Sequence, residues 1–173
     1  MNRVLPWQPR RRRGGRPASR TDYAGAVYGS LLAASVIAAA SAASDFPRIE
    51  TVVLLLVTGL VFWVAHVYAR LAGERAVGQP VDWSEARRVG RGEWSIVEAA
   101  VLPAAAVAIS PLLDLSLTAT GWFALAVAVA QQVTWAYLGA VHARVSHTQA
   151  RVEALVNLVL GLAIVAAKAA LGH

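Results

Sequence analysis

The chain reads as long apolar runs separated by short polar breaks. Residues 23–43, 51–71, 94–115, 121–142 and 152–171 are mostly apolar and each about one bilayer crossing long; a helix needs about 20 such residues to cross a ~30 Å hydrocarbon core. Within these runs, apolar side chains follow one another without alternation, as in Val52-Val53-Leu54-Leu55-Leu56-Val57. A membrane β-strand would alternate apolar and polar residues over about 10 positions. The pattern therefore predicts an all-α polytopic membrane protein, a bundle of five transmembrane helices.

Composition points the same way. Hydrophobic residues make up 57% of the 173, charged residues 15%, and the mean hydropathy is +0.52. One small domain leaves too much surface exposed to hide that many apolar side chains from water, so lipid must be the solvent for much of it. The first run is longer than the apolar core of a secretory signal peptide, which spans about 7–15 residues, and is read as a retained helix.

The breaks define the rest of the organisation. Residues 1–20 are rich in Arg, Pro and Gly and are expected to form a disordered tail ahead of the membrane domain, residues 21–173. The one long loop covers residues 73–93, where Asp82 and Glu85 have the spacing of a capping box. They should open a short helix carrying Arg87, Arg88 and Arg91 along the membrane surface, with Trp83 and Trp94 at headgroup level. The break at residues 116–120 is tight enough to make the third and fourth spans antiparallel neighbours.

Charge sets the orientation. Of the 16 Lys and Arg, 14 fall in the tail, in the loop after span two and in the loop after span four; Arg48 and Lys168 fall on the other side. The positive-inside rule then predicts a cytoplasmic N-terminus and an external C-terminus, in a bacterial inner membrane. The Arg-rich tail has Trp7 as its one aromatic residue and no recognition fold, so anionic lipid is its expected partner and nucleic acid is not.

Polar groups at membrane depth are costly, and each one needs a reason. Converting position to depth at ~1.5 Å per residue puts Tyr28, His66, Glu98, Trp135 and Asn157 in the cytoplasmic half, with Gln131 and Gln132 near the middle. This candidate polar layer draws on all five spans. His66 and Glu98 share a depth and are expected to face the bundle interior, either as a proton-sharing site or as a structural pair. Asp114 and Lys168 form a candidate ion pair near the outer edge, the alternative being that Lys168 snorkels to the headgroups. Pro103 and Pro111 should interrupt the third span. Gly25 and Gly29 form a small-xxx-small pair, continued by Ala26, Ser30, Ala34, Ala38 and Ala42. That stripe suits close packing, against this chain or against a second copy.

Several chemistries are excluded. With no cysteine there are no disulfides, thiolate metal sites or thiol redox steps. No phosphate-binding loop, dinucleotide fingerprint, zinc-protease motif or nucleophile elbow is present. His142 and His147 are five apart, off the spacing that places two ligands on one helical face. Neither a cofactor nor a metal is expected.

Tyr28-Gly29, the segment Phe62-Trp63-Val64-Ala65-His66-Val67-Tyr68-Ala69, Pro103 and the ending Ala167-Lys168-Ala169-Ala170-Leu171-Gly172-His173 resemble uncharacterised small five-helix integral membrane proteins of actinobacteria. The likeness covers all five spans but not the tail, and Gly172 departs from it by separating the last Lys and His. It implies architecture and a bacterial inner membrane, and no activity.

Two functional readings follow. One is a small oligomeric channel or transporter using the polar layer. The other is a structural or accessory subunit that packs through the first span against a larger membrane complex. An intramembrane enzyme using Glu98 and His66 would lack any accompanying nucleophile or cofactor motif.

Overall fold

A computed structural model describes residues 22–42, 47–74 and 82–171; the Arg-rich tail lies outside them. The described chain is all-helical: α1 (Tyr23–Ala42), α2 (Arg48–Glu74), α3 (Trp83–Gly92), α4 (Ser95–Ile109) continued by a 3-10 turn (Ser110–Leu113), α5 (Leu117–His142) and α6 (His147–Leu171). Five of these, all but α3, are long and apolar enough to cross a membrane. One end of the bundle carries α3, and the other carries Arg48, the 3-10 turn and Lys168.

The five long helices do not form an even ring. α1, α4 and α5 pack on one another at the centre, α2 lies against α4, and α6 lies against α5. In α2 and α6, 11% of the membrane-spanning window is buried, against 44% in each of the three central helices, so α2 and α6 present most of their surface outward. Lipid gives helices no hydrophobic reason to associate, and small residues let backbones approach closely enough for dispersion and hydrogen bonding to hold them. The core is accordingly Ala-rich, with Ala33, Ala34, Ala104, Ala106, Ala124 and Ala128 around Ile37, Leu55, Val107 and Leu125.

The small stripe of α1 is used inside the chain. A Cβ on Gly29 would sit 2.7 Å from the Ile96 carbonyl oxygen and 2.8 Å from the Ala99 Cβ, and one on Gly25 would meet the Ser95 Oγ at 2.7 Å. All three neighbours belong to the start of α4. That face of the first span is therefore occupied by this chain.

Helix ends have local causes. α3 starts as its sequence predicts: Asp82 is the N-cap and accepts from the Ser84 N–H at 3.1 Å. Hydrogen bonds from the Ser84 hydroxyl and then from its backbone N–H hold the Asp82 carboxyl below its ordinary value. Glu85 does not reach back to complete the box but bonds Arg88 at 3.4 Å. α3 buries Val89 and Gly90 while Arg87, Arg88 and Arg91 stay exposed. The Trp63 indole donates to the Gly90 carbonyl at 2.8 Å and docks α3 on α2.

α5 and α6 begin before the apolar runs that define the predicted spans. Ser116 caps α5 by accepting from the Ala119 N–H at 3.2 Å. At α6, Ser146 accepts from the Gln149 N–H at 3.3 Å while Gln149 accepts from the Ser146 N–H at 3.2 Å, a reciprocal box one turn ahead of the apolar run.

Each interior proline removes one donor from the helix ladder, and each vacancy has a local answer. Pro111 has no N–H for the Val107 carbonyl, and that oxygen accepts from the Ser110 hydroxyl at 2.8 Å instead. Arg48 then donates to Ser110 Oγ at 3.0 Å and to the Leu115 carbonyl, tying the start of α2 to the end of the 3-10 turn. Against the expected interruption, α4 runs on through Pro103; the Ala99 carbonyl, with no proline N–H to bond, takes its donor from α5.

Candidate functional site

The Ala99 oxygen accepts from the Gln131 side-chain amide at 3.0 Å, and the same nitrogen lies 3.2 Å from Ser30 Oγ. Ser30 passes its own proton to the Ala26 carbonyl at 2.8 Å. This network joins α1, α4 and α5 beside Pro103, which lies inside α4. Gln132, the next residue, points about 100° away around α5. Its amide nitrogen donates to the backbone and side-chain oxygens of Asn157 at 3.0 and 3.2 Å, and Asn157 donates to the Glu153 carbonyl at 3.0 Å. Within the candidate polar layer, the two glutamines thus head separate networks on neighbouring sides of α5. In both glutamines an acceptor carbonyl fixes which end is nitrogen, and both Oε1 atoms are left buried without a partner.

His66 and Glu98 do not meet. Both are exposed on the outside of the bundle, which corrects the expectation that they face its interior. The cause is helical phase. α2 packs on α4 where Gly59 faces Ile96, Val97 and Ala100, and Glu98 lies about 200° around from Ile96. Glu93, about 60° from Ile96 on the same count, is the carboxylate on the α2 side. It is 1% exposed, 3.5 Å from His66 Nε2 and in contact with the Arg70 guanidinium. Tyr28 joins this corner from α1, its ring 6.0 Å from His66 and 6.4 Å from Phe62. Sequence reading passed over Glu93 because it falls in the polar break, and its burial follows from the fold that sets it against His66 and Arg70 of α2.

The Asp114–Lys168 pair is also not formed. Asp114 ends the 3-10 turn in the left-handed region, φ 52°, with its side chain exposed; Asp tolerates that backbone better than most residues. Lys168 is 6% exposed and lies with Nζ 4.7 Å from the centre of the Trp122 ring, a cation–π contact. Gly121 makes room for it, since a Cβ there would sit 3.1 Å from Nζ.

Two grooves open beside the polar layer, and Trp135 walls both. One, of about 490 Å³, lies between α1, α5 and α6 and is lined by Tyr23, Trp135, Gly139, Glu153 and Asn157 among others. The Tyr23 ring makes tilted contacts with Trp135 and His142, with centroids 5.9 and 5.5 Å away. The other, of about 510 Å³, lies between α4 and α5, with Glu98, Gln131, Thr134 and Trp135 set among Leu102, Val127 and Leu138. Glu98 has no hydrogen-bond or ion-pair partner among the described residues, and the Trp135 indole N–H is buried without an acceptor. Between the grooves the bundle is closed, with Ala34, Ala124, Ala128 and Gln132 fully buried. Among the described residues no group of His, Asp or Glu is arranged to hold a metal ion.

Fold and site together define the class, an α-helical multi-pass membrane protein with lateral, partly polar grooves at membrane depth. No family model, no curated protein and no solved structure matches the chain.

Proposed function

We propose that the chain is a small oligomeric transporter of a bacterial inner membrane, with Glu98 as the group that handles the transported charge. The observation that carries this reading is an unpartnered carboxylate inside a membrane span, on the wall of a groove open to the side. A charged or ionisable side chain in that setting is expensive unless it binds something. Structural polar residues in this chain look different: Gln131 bonds the Ala99 carbonyl that Pro103 leaves without a donor, Gln132 holds α6, and Glu93 ties the end of α3 to α2. Glu98 does none of this.

The packed centre argues against an axial pore through one copy and favours entry from the side of α4 and α5. The accessory-subunit reading relied on a free face of the first span, and that face is filled by α4. The positive-inside distribution of Arg and the resemblance to actinobacterial membrane proteins support the inner membrane, with the α3 end in the cytoplasm.

The test is proton and cation flux in proteoliposomes, wild type against Glu98→Gln, between about pH 5 and about pH 8. The amide keeps the shape and hydrogen-bonding capacity but cannot titrate. Flux that needs the carboxylate supports transport. A wild type no leakier than empty liposomes would return the protein to the accessory-subunit reading.

A further inference from the structure

We propose that the solute bound in the α4–α5 groove is an amphipathic organic cation, a single positive charge carried on an apolar or aromatic body. This rests on the transporter reading of Glu98 and names the substrate class of that site. The groove's chemistry is one-sided. Its charged group is the Glu98 carboxylate, and its wall carries no Lys, Arg or His. Gln131 is held with its amide nitrogen on Ala99 and Ser30, so its remaining polar atom is an acceptor oxygen, buried behind the groove wall. Thr134 spends its hydroxyl proton on the Ala130 carbonyl at 2.8 Å and also offers lone pairs. An anion would meet the repulsion of the carboxylate, and the one unpaired donor on the wall, the Trp135 N–H, is buried.

The remaining wall selects against a small hydrated ion. Leu102, Val127, Ala130 and Leu138 cannot replace a hydration shell, and the groove lacks the ring of oxygens that a bare metal cation needs. These side chains and the Trp135 ring instead match an apolar body, and an indole attracts a nearby organic cation through its π face. A volume of about 510 Å³ lies within the range usual for small-molecule sites. The side opening gives a route suited to a solute that partitions into the membrane before it binds.

Three probes of nearly one shape isolate the charge. Purified protein in detergent is titrated with tetraphenylphosphonium, tetraphenylborate and a neutral tetraphenyl compound, following tryptophan fluorescence and equilibrium dialysis. Wild type should bind the phosphonium at least about tenfold more tightly than the other two. Glu98→Gln should lose that preference and Glu98→Asp should keep it. Circular dichroism and gel filtration confirm that each variant is folded, and Glu98→Ala, which also removes the charge and should also lose the preference, replaces the amide variant if that one is not.

Equal binding of all three probes, or phosphonium binding unchanged in Glu98→Gln, would overturn the substrate class. The same preparations are reconstituted for proton flux. Flux that depends on Glu98 without phosphonium preference would leave the transporter standing and the substrate class wrong. Absence of both would remove both.

Discussion

Gln131 and Pro103 should be energetically coupled although they sit on different helices. Pro103 deprives the Ala99 carbonyl of its donor four residues on, and Gln131 supplies the replacement at 3.0 Å. Gln131→Leu leaves that oxygen and Ser30 without the amide. A buried polar group stripped of its partner costs about 1–3 kcal/mol, although single hydrogen bonds between membrane helices average nearer ~0.6 kcal/mol. Removal of the unpaired Gln131 Oε1 returns part of the loss. The net expectation is ~1–2 kcal/mol for Gln131→Leu in the wild-type chain. In a Pro103→Ala background the helix regains an N–H at position 103, and Ala99 no longer needs Gln131. There the same change should cost about 0.5 kcal/mol or less, for Ser30 alone. Packing lost with the buried proline cancels in the cycle, because it enters both Pro103→Ala variants. The assay is reversible unfolding in mixed detergent and SDS micelles, followed by circular dichroism. An equal cost of Gln131→Leu in both backgrounds, within about 0.3 kcal/mol, would refute the coupling.

Further outcomes are expected from the same assay and from simpler ones. Gly29→Ala should destabilise by ~1–3 kcal/mol because its Cβ would press on the Ile96 backbone, while Gly73→Ala, with open space around it, should be neutral or slightly stabilising. A double-mutant cycle should find coupling between His66 and Glu93, which are 3.5 Å apart, and none between His66 and Glu98. Asp82 has a carboxyl held below its ordinary value, so its cap on α3 is in place above that ordinary value of 3.8 and fades as pH falls through the lower folded value. Hydrogen exchange at Ser84 and Glu85 should therefore accelerate on acidification in the wild type and be fast and pH-insensitive, after correction for intrinsic exchange, in Asp82→Ala. Reporter fusions after Ala43 and Leu117 should read periplasmic and those after Gly73 and Ser146 cytoplasmic; the reverse pattern would invert the orientation drawn from the Arg distribution.

The number and type of spans were legible because a bilayer demands long apolar runs, and little else produces them. Helix starts were less so: Arg48, Ser116 and Ser146 are polar and fall outside a hydropathy window, yet each belongs to a helix end. The Ser146–Gln149 spacing was a readable signal for α6. The polar positions inside the spans were legible too, and Gln131 and Gln132 do bond to neighbouring helices. Rotation about each helix axis was not. Glu93 and Glu98 are five residues apart, and the packing of α2 on α4 at Gly59 decides which one His66 reaches. The role of Gln131 was recoverable in principle, since a proline at 103 announces a free carbonyl at 99 that some neighbour must fill.

The central claim is that Glu98 is a membrane-embedded carboxylate free to act, and chemical labelling tests it most directly. A lipid-soluble carbodiimide couples to carboxyls that lie in hydrocarbon. Applied to protein in liposomes, it should modify Glu98, leave Glu93 unlabelled behind Arg70 and His66, and abolish flux in proportion to the fraction of Glu98 modified by peptide mass spectrometry. An unreactive Glu98, or flux undiminished when Glu98 is fully labelled, would contradict it.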